Sequence, residues 1–303
     1  MSYRIALLTK NRTNPAYDGA RTGAERVAAR MGGTVLHYVP DIADDPAGQS
    51  ALIGAALAAR PDALVIAPTH PEQLNGHLAG VKQAGIPLVY FVSHTPGLEP
   101  DVFVTADNYR LARGVGDYLT SHLGGQGAVA IVEGSANSLT SPPRTQGFLD
   151  ALASRPAMRV AAIRSGHYQR GPAHAAMREI LAQGAPPAGV LCANDHMAMG
   201  VLQALDETGA RAVVAGVNAM PEAIGAIGAG RLLVTAAYDA MQMGCIATEA
   251  AIRLLAGQPV PARIELPVAL VDAANCAPWR LPFEQRPLPQ WDAALELSGH
   301  RER

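Results

Sequence analysis

Lysine is almost missing from this chain: of 24 basic residues only Lys10 and Lys82 are lysines, so the placement of either is informative. An excess of one charge is missing too. The 24 basic and 26 acidic residues leave a formal charge of −2, and no global basic field points to nucleic acid or to an anionic membrane surface. No apolar run approaches the ~20 residues that cross a bilayer as a helix. Cysteine is scarce. Cys192, Cys245 and Cys276 show no C-x-x-C or zinc-type spacing. Cys192 lies in an apolar run and reads as a small hydrophobe, while a Cys245–Cys276 pair stays open. The signatures G-x-S-x-G, H-E-x-x-H and G-x-x-x-x-G-K-[ST] are absent, which removes the commonest hydrolase, metalloprotease and nucleotide-binding readings. Gly225, Gly228 and Gly230 fall inside or after a predicted helix, so a dinucleotide fingerprint fails on context. Nine histidines are scattered singly. His70, His94 and His196 follow predicted strand ends and would hold a metal only by converging, so neither metal nor cofactor is expected. The opening MSYRIALL leads straight into a strand, without the charged, apolar and cleavage regions of a secretory signal.

What is present is a core and a rhythm. With 49% hydrophobic and 17% charged residues the chain can bury a sizeable interior, and 303 residues suit one large domain or two ordinary ones. Short apolar runs at 4–9, 34–38, 63–67 and 88–92 alternate with helical patterns at 16–31, 47–59 and 71–84. The plan then starts again, with strands at 128–132, 160–163, 189–193 and 212–217 and helices between them. Such alternation predicts the α/β class: two similar, doubly wound parallel-sheet lobes, each with helices on both faces.

The stretch 190–209, VLCANDHMAMGVLQALDETG, shows the unit most clearly. A buried strand runs into a helix, and the junction carries Asn194 and Asp195, both good N-caps. The expectation is that Asp195 caps while the Asn194 amide faces a ligand, because open α/β sheets bind ligands outside the carboxyl ends of their strands. Other strand-end loops supply Lys10, Asn14, Tyr17, Ser93, Tyr168, Asn218 and Tyr238. Asparagine both donates and accepts, as a hydroxyl does, and an aromatic face suits the C–H side of a sugar ring.

The segment ANDHMAMG resembles the A-x-N-D-x-M-A-x-G segment of type I periplasmic sugar-binding proteins, the ribose-binding group, whose relatives include LacI-type effector domains. The resemblance spreads over about residues 4–272 in order: IALLTKNRTNPAY, PDALVIAPT, AGIPLVYFVS, VFVTADN, RTQGF and AGVNAMPEAI. It implies a three-segment hinge near 105–107, 238–239 and 265–268. The N-terminal lobe would be 1–105 plus 239–266, and the C-terminal lobe 106–238 plus 267–303. From 273 onward a proline-rich surface wrap would fray at 298–303.

The resemblance further implies a solute-binding protein without catalysis. Its partners would be a sugar, polyol or sugar acid and an ABC permease in the membrane, not nucleic acid. The protein would act as a monomer in the periplasm. Asn14, Tyr17, Tyr168, Asn194, Asn218 and Tyr238 match the family's ligand positions. Departures matter as much. Val92-Ser93 stand where the ribose-binding group has Asp-Arg, Asn218 stands where an aspartate is common, and Pro142 replaces the first arginine of R-x-R-x-x-G-F. Arg144, the second, is then expected only to support or cap. Loss of these charged grips argues against ribose, and Lys10 offers a different charge. The alternative is a sensing module for a chemoreceptor, histidine kinase or repressor, although no helix-turn-helix precedes the first strand. An α/β enzyme would need acid, base or metal groups that converge.

Overall fold

The computed structural model describes residues 2–299. The chain runs β1 (Arg4–Leu8), α1 (Pro15–Arg30), β2 (Thr34–Tyr38), α2 (Pro46–Ala58), β3 (Ala63–Ile66), α3 (Asn75–Gln83), β4 (Leu88–Phe91) and β5 (Val102–Thr105). The plan repeats through α4 (Asn108–His122), β6 (Gln126–Glu133), α5 (Ser141–Ala153), β7 (Ala157–Ser165), α6 (Arg170–Ala182) and β8 (Gly189–Cys192). Next come α7 (Asp195–Thr208), β9 (Val213–Val217), α8 (Pro221–Gly228) and β10 (Val234–Ala237). It closes with α9 (Ala240–Leu255), β11 (Arg263–Glu265), β12 (Ala269–Val271), a 3-10 turn at Ala277–Arg280 and α10 (Trp291–Leu297). Contacts divide the chain into two compact units. One comprises Met1–Ala106, Asp239–Pro267 and Phe283–Arg303; the other comprises Asp107–Tyr238 and Val268–Pro282.

The first unit is built on a parallel sheet of order β11-β5-β4-β3-β1-β2. Its inner strands read as unbroken apolar runs, as a sheet covered on both faces requires. Ala6, Leu8, Leu64, Ile66, Leu88 and Tyr90 turn to one face, where Ile53 and Ala56 of α2 and Leu78 and Val81 of α3 cover them. The helix α9, late in the chain, packs on β3, β4 and β5 beside α1. The two helices approach so closely that a Cβ on Gly23 would lie 2.7 Å from Cys245 Sγ. The helix α1 starts where expected, with Asn14 as N-cap and Pro15 behind it. By contrast α3 starts at Asn75 rather than near 71, because His70 Nδ1 accepts the N–H groups of Glu72 and Gln73 at 3.1 and 3.3 Å and turns the chain first.

The second unit has the order β12-β10-β9-β8-β6-β7. It is parallel except for β12, which pairs antiparallel with β10. This edge strand departs from the wholly parallel expectation, and an antiparallel neighbour needs no crossover helix to reach its place. Read from the other edge, each sheet begins second strand, first strand, third strand, so each has a topological switch point: β1/β3 in one and β6/β8 in the other.

The C-terminal segment departs from expectation. The segment lies beyond the stretch that the resemblance covers and is expected in the second lobe, yet from Phe283 onward it belongs to the first unit. The Phe283 ring lies against α1 where Gly19 has no side chain, since a Cβ there would sit 2.8 Å from the ring. Arg26 Nη1 donates to Phe283 O at 2.8 Å and to Arg286 O at 2.7 Å, and the Arg253 guanidinium lies 4.5 Å from the Trp291 ring. The chain thus passes from unit to unit after Ala106, Tyr238 and Pro267, and a fourth time after Pro282. Nor does Ser298 fray, for its Oγ accepts the Glu265 N–H at 2.9 Å; residues 300–303 lie outside the described ones. All three cysteines are free and buried, so Cys245 and Cys276 do not pair. No helix among the described residues is long and apolar enough to cross a membrane.

Candidate functional site

In the first unit the strand-end loops bring Lys10 and Ser93 together. Lys10 follows β1, Ser93 follows β4, and Lys10 Nζ donates to Ser93 Oγ at 2.7 Å with both side chains buried. Asn14 accepts the Ala16 N–H on its Oδ1 at 3.0 Å, so this half of its amide belongs to the helix cap, while the NH2 half is a donor only. Tyr17 is buried in the first turn of α1. Thr69, not among the residues expected from sequence, follows β3 and has its N–H held by Gln49 Oε1 at 2.8 Å. Its hydroxyl is buried without a partner among the described residues. The rule that ligands gather outside strand carboxyl ends is the signal that could have found it.

In the second unit the loops after β7, β8, β9 and β10 place Tyr168, Asn194, Asn218 and Tyr238 on one edge of the sheet. Backbone strain marks two of them: φ is +59° at Tyr168 and +122° at Asn218, a region that side chains seldom adopt unless surroundings enforce it. The Tyr168 ring packs directly on the backbone of Gly134, where no Cβ could fit, and its hydroxyl lies 2.9 Å from Thr140 Oγ1. Asn218 keeps its Oδ1 buried and unpartnered among the described residues.

The expected division between Asn194 and Asp195 is reversed. Asn194 is the cap: its Oδ1 accepts the Met197 N–H at 2.8 Å, and its Nδ2 donates to Tyr168 O at 3.2 Å. Asp195 turns inward instead, accepting the Met220 N–H at 2.8 Å and the Thr235 hydroxyl at 2.7 Å. It has room because Gly216 presents no side chain to it. Burial pushes its carboxyl up to about 6, against the opposing pull of those donors and of the Arg144 charge.

Arg144 does more than cap. Its Nε donates to Asn108 Oδ1 at 2.8 Å and its Nη1 to Ala193 O at 2.6 Å. The guanidinium lies 4.7 Å from the Tyr238 ring centre and 5.9 Å from that of Tyr168. One buried cation therefore ties α4, α5 and the end of β8 together and props two of the candidate aromatic faces. The sequence could name the residue but not these partners.

The three strand-end histidines do not gather. His70 serves its own turn, His94 stacks on Phe103 with ring centres 5.3 Å apart, and His196 belongs to the other unit. Burial lowers the pKa of both His94 and His196. Among the described residues no group of three or more His, Cys, Asp or Glu could hold a metal ion.

Comparisons with known proteins identify the family and the fold. A family profile described as the periplasmic binding protein domain matches residues 5–259. The ribose import binding protein RbsB of Escherichia coli is 26% identical over 268 residues, covering 88% of this chain and 90% of the relative. A D-ribose/D-allose-binding protein of Pseudomonas aeruginosa is 29% identical over 289 residues, covering 89% of each. Among solved structures, an ABC transporter periplasmic solute binding protein from Actinobacillus succinogenes with bound D-allose superposes with a TM-score of 0.86. It is 25% identical, and the match covers 91% of this chain and 99% of that one. These relatives are binding proteins, not enzymes.

Proposed function

Because the chain belongs to the periplasmic binding protein domain family, we propose that it captures a small polyhydroxylated ligand and delivers it to an ABC permease in the membrane. The ligand is a sugar, polyol or sugar acid. The family match runs through both units, and in each of them hydroxyl-reading side chains stand at the carboxyl ends of the strands. Lys10, Asn14 and Ser93 of the first unit and Asn218 of the second bond the ligand's oxygens, while Tyr17, Tyr168 and Tyr238 offer apolar faces to its C–H groups. Asn194 has one amide hydrogen left after its bond to Tyr168 O, and it contributes that one. A ligand that takes contacts from both units binds best when both reach it, and this differential affinity turns occupancy into a conformation that a permease can read. Hinge closure of this kind around a ligand is general among periplasmic binding proteins. The protein acts as a monomer in the periplasm, and nucleic acid has no part in the reading. Import is preferred to sensing because RbsB, which matches most of this chain, is an import protein by description.

Melting curves of the full chain with sugars, polyols and sugar acids test the proposal. A ligand at 100 times its Kd adds about 2.7 kcal/mol, which raises the melting temperature by several degrees. Isothermal titration should then give one site per chain. A panel in which no compound of the three classes shifts the transition would overturn the reading.

A further inference from the structure

In the second unit, Asn218 stands on a turn that the fold holds at each successive donor. It is the residue after β9, with φ +122°, and Ala219 follows at φ +53°. Neither value is common for a residue with a side chain, and two in succession persist only where surrounding bonds outweigh the strain. Here β10 and the start of α7 supply those bonds. The Asn218 N–H donates to Ala236 O at 2.7 Å, the Ala219 N–H to Thr235 Oγ1 at 3.2 Å and the Met220 N–H to Asp195 Oδ2 at 2.8 Å. Pro221, next in line, opens α8 and has no N–H to satisfy.

The two side chains among these acceptors are joined to each other. Thr235 Oγ1 donates to Asp195 Oδ1 at 2.7 Å, and both residues are buried. In the sheet β9 lies between β8 and β10, so Asp195, in the helix that follows β8, reaches Thr235 of β10 across β9. It crosses at Gly216, where a Cβ would collide with Asp195 Oδ1. The carboxyl takes the hydroxyl's one hydrogen, which aims the oxygen's lone pairs away from Asp195 and leaves them to accept the Ala219 N–H. Asn218 itself is 6% exposed, and its Oδ1 is buried without a partner among the described residues. An amide oxygen only accepts, and a ligand hydroxyl is a donor that it can take. Because three successive N–H groups fix the backbone, the amide is set beforehand and little ordering is left to cost affinity.

We propose that Thr235 and Asp195 are positioning residues for ligand capture: the hydroxyl and the carboxyl hold the 218–220 turn so that Asn218 Oδ1 accepts a hydroxyl of the ligand. The inference rests on the binding function proposed above and deepens it. Titration calorimetry of the full chain with D-allose, D-ribose, D-galactose, myo-inositol and D-gluconate first selects the tightest of the five. Thr235→Val keeps the shape and removes the hydroxyl. It should weaken that compound about tenfold or more, and Thr235→Ser should restore binding to within about threefold. The loss should run through Asn218. In an Asn218→Ala background, itself weakened about tenfold, Thr235→Val should cost less than about a further twofold, since residues that act in one network do not add. A loss of equal size in both backgrounds is what a merely structural hydroxyl gives, and it overturns the inference, as does a Thr235→Val protein that binds like the wild type. Hydrogen exchange on the free wild-type chain serves if Thr235→Val melts early. The Ala219 and Met220 amides should exchange about a hundredfold or more slower than in an unfolded chain; unprotected amides there would show that nothing pins the turn, and would overturn the inference too. Each of these failures leaves the binding function standing. Silence from all five compounds overturns that function and the role of Asn218 with it.

Discussion

Asp195 is the residue whose chemistry is most unusual. It is 1% exposed, bonds to neutral donors and has its carboxyl pushed by burial from 3.8 to about 6. Between those values the folded chain still holds a proton that the unfolded chain has released. The group's contribution to stability is therefore fully present below about pH 4 and is lost as pH rises through about 6. A displacement of this size corresponds to about 3 kcal/mol at most. Asp195→Asn has no proton to lose, and it aims an amide donor at the Met220 N–H or the Thr235 hydroxyl, so it should be the less stable protein at every pH. Urea unfolding of both proteins at pH 4.5 and pH 7 should show the gap between them narrowing as pH rises. A gap that widens would mean that the carboxylate is ionised and held low. Exposed carboxylates such as Asp150 and Glu207 have lowered pKa values through their hydrogen-bond partners and bend the curve the other way, but equally in both proteins.

At the scale of elements, the first unit depends on helices that touch through missing side chains. A Cβ at Gly244 could not clear the Ala20 carbonyl, so α1 and α9 meet backbone to backbone, and α1 uses another glycine, Gly19, to seat the Phe283 ring. The C-terminal segment is accordingly a part of the first unit's wall, held by Arg26 on two carbonyls and by Trp291 against Arg253. Phe283→Ala removes a ring that is 8% exposed and should cost about 3 kcal/mol in a chemical melt, as aromatic truncations in packed sites do. A loss under about 1 kcal/mol would show the segment to be loosely laid on the surface.

At the scale of the whole molecule, the proposed capture draws on both units, Lys10 and Tyr17 belonging to one and Tyr168 and Asn218 to the other. Saturation with ligand should therefore compact the protein. Small-angle scattering on the free and the saturated chain reads this directly as a fall in the radius of gyration. An identical radius in both states would remove closure from the proposal, whatever the affinity.

Periodicity alone was enough for the α/β plan, for two similar halves and for most strand positions, since a strand buried on both faces must be apolar throughout and a covering helix must carry an apolar stripe. It also marked the strand-end side chains, because a junction of strand and helix is polar wherever it sits. Partner choice lay beyond it. Asn194 and Asp195 are equally good caps by composition, and only the bare backbone of Gly216 and the Thr235 hydroxyl, brought close by β9 and β10, draw Asp195 inward. Thr69 and the Arg144 ties depend on strand order, which no local pattern encodes. The proline-rich segment from Phe283 has no period to read, and its seat on α1 exists only once Gly19 lies on the face of a folded helix. Local preferences set which elements form, whereas contacts between residues far apart in the chain decided which atoms meet.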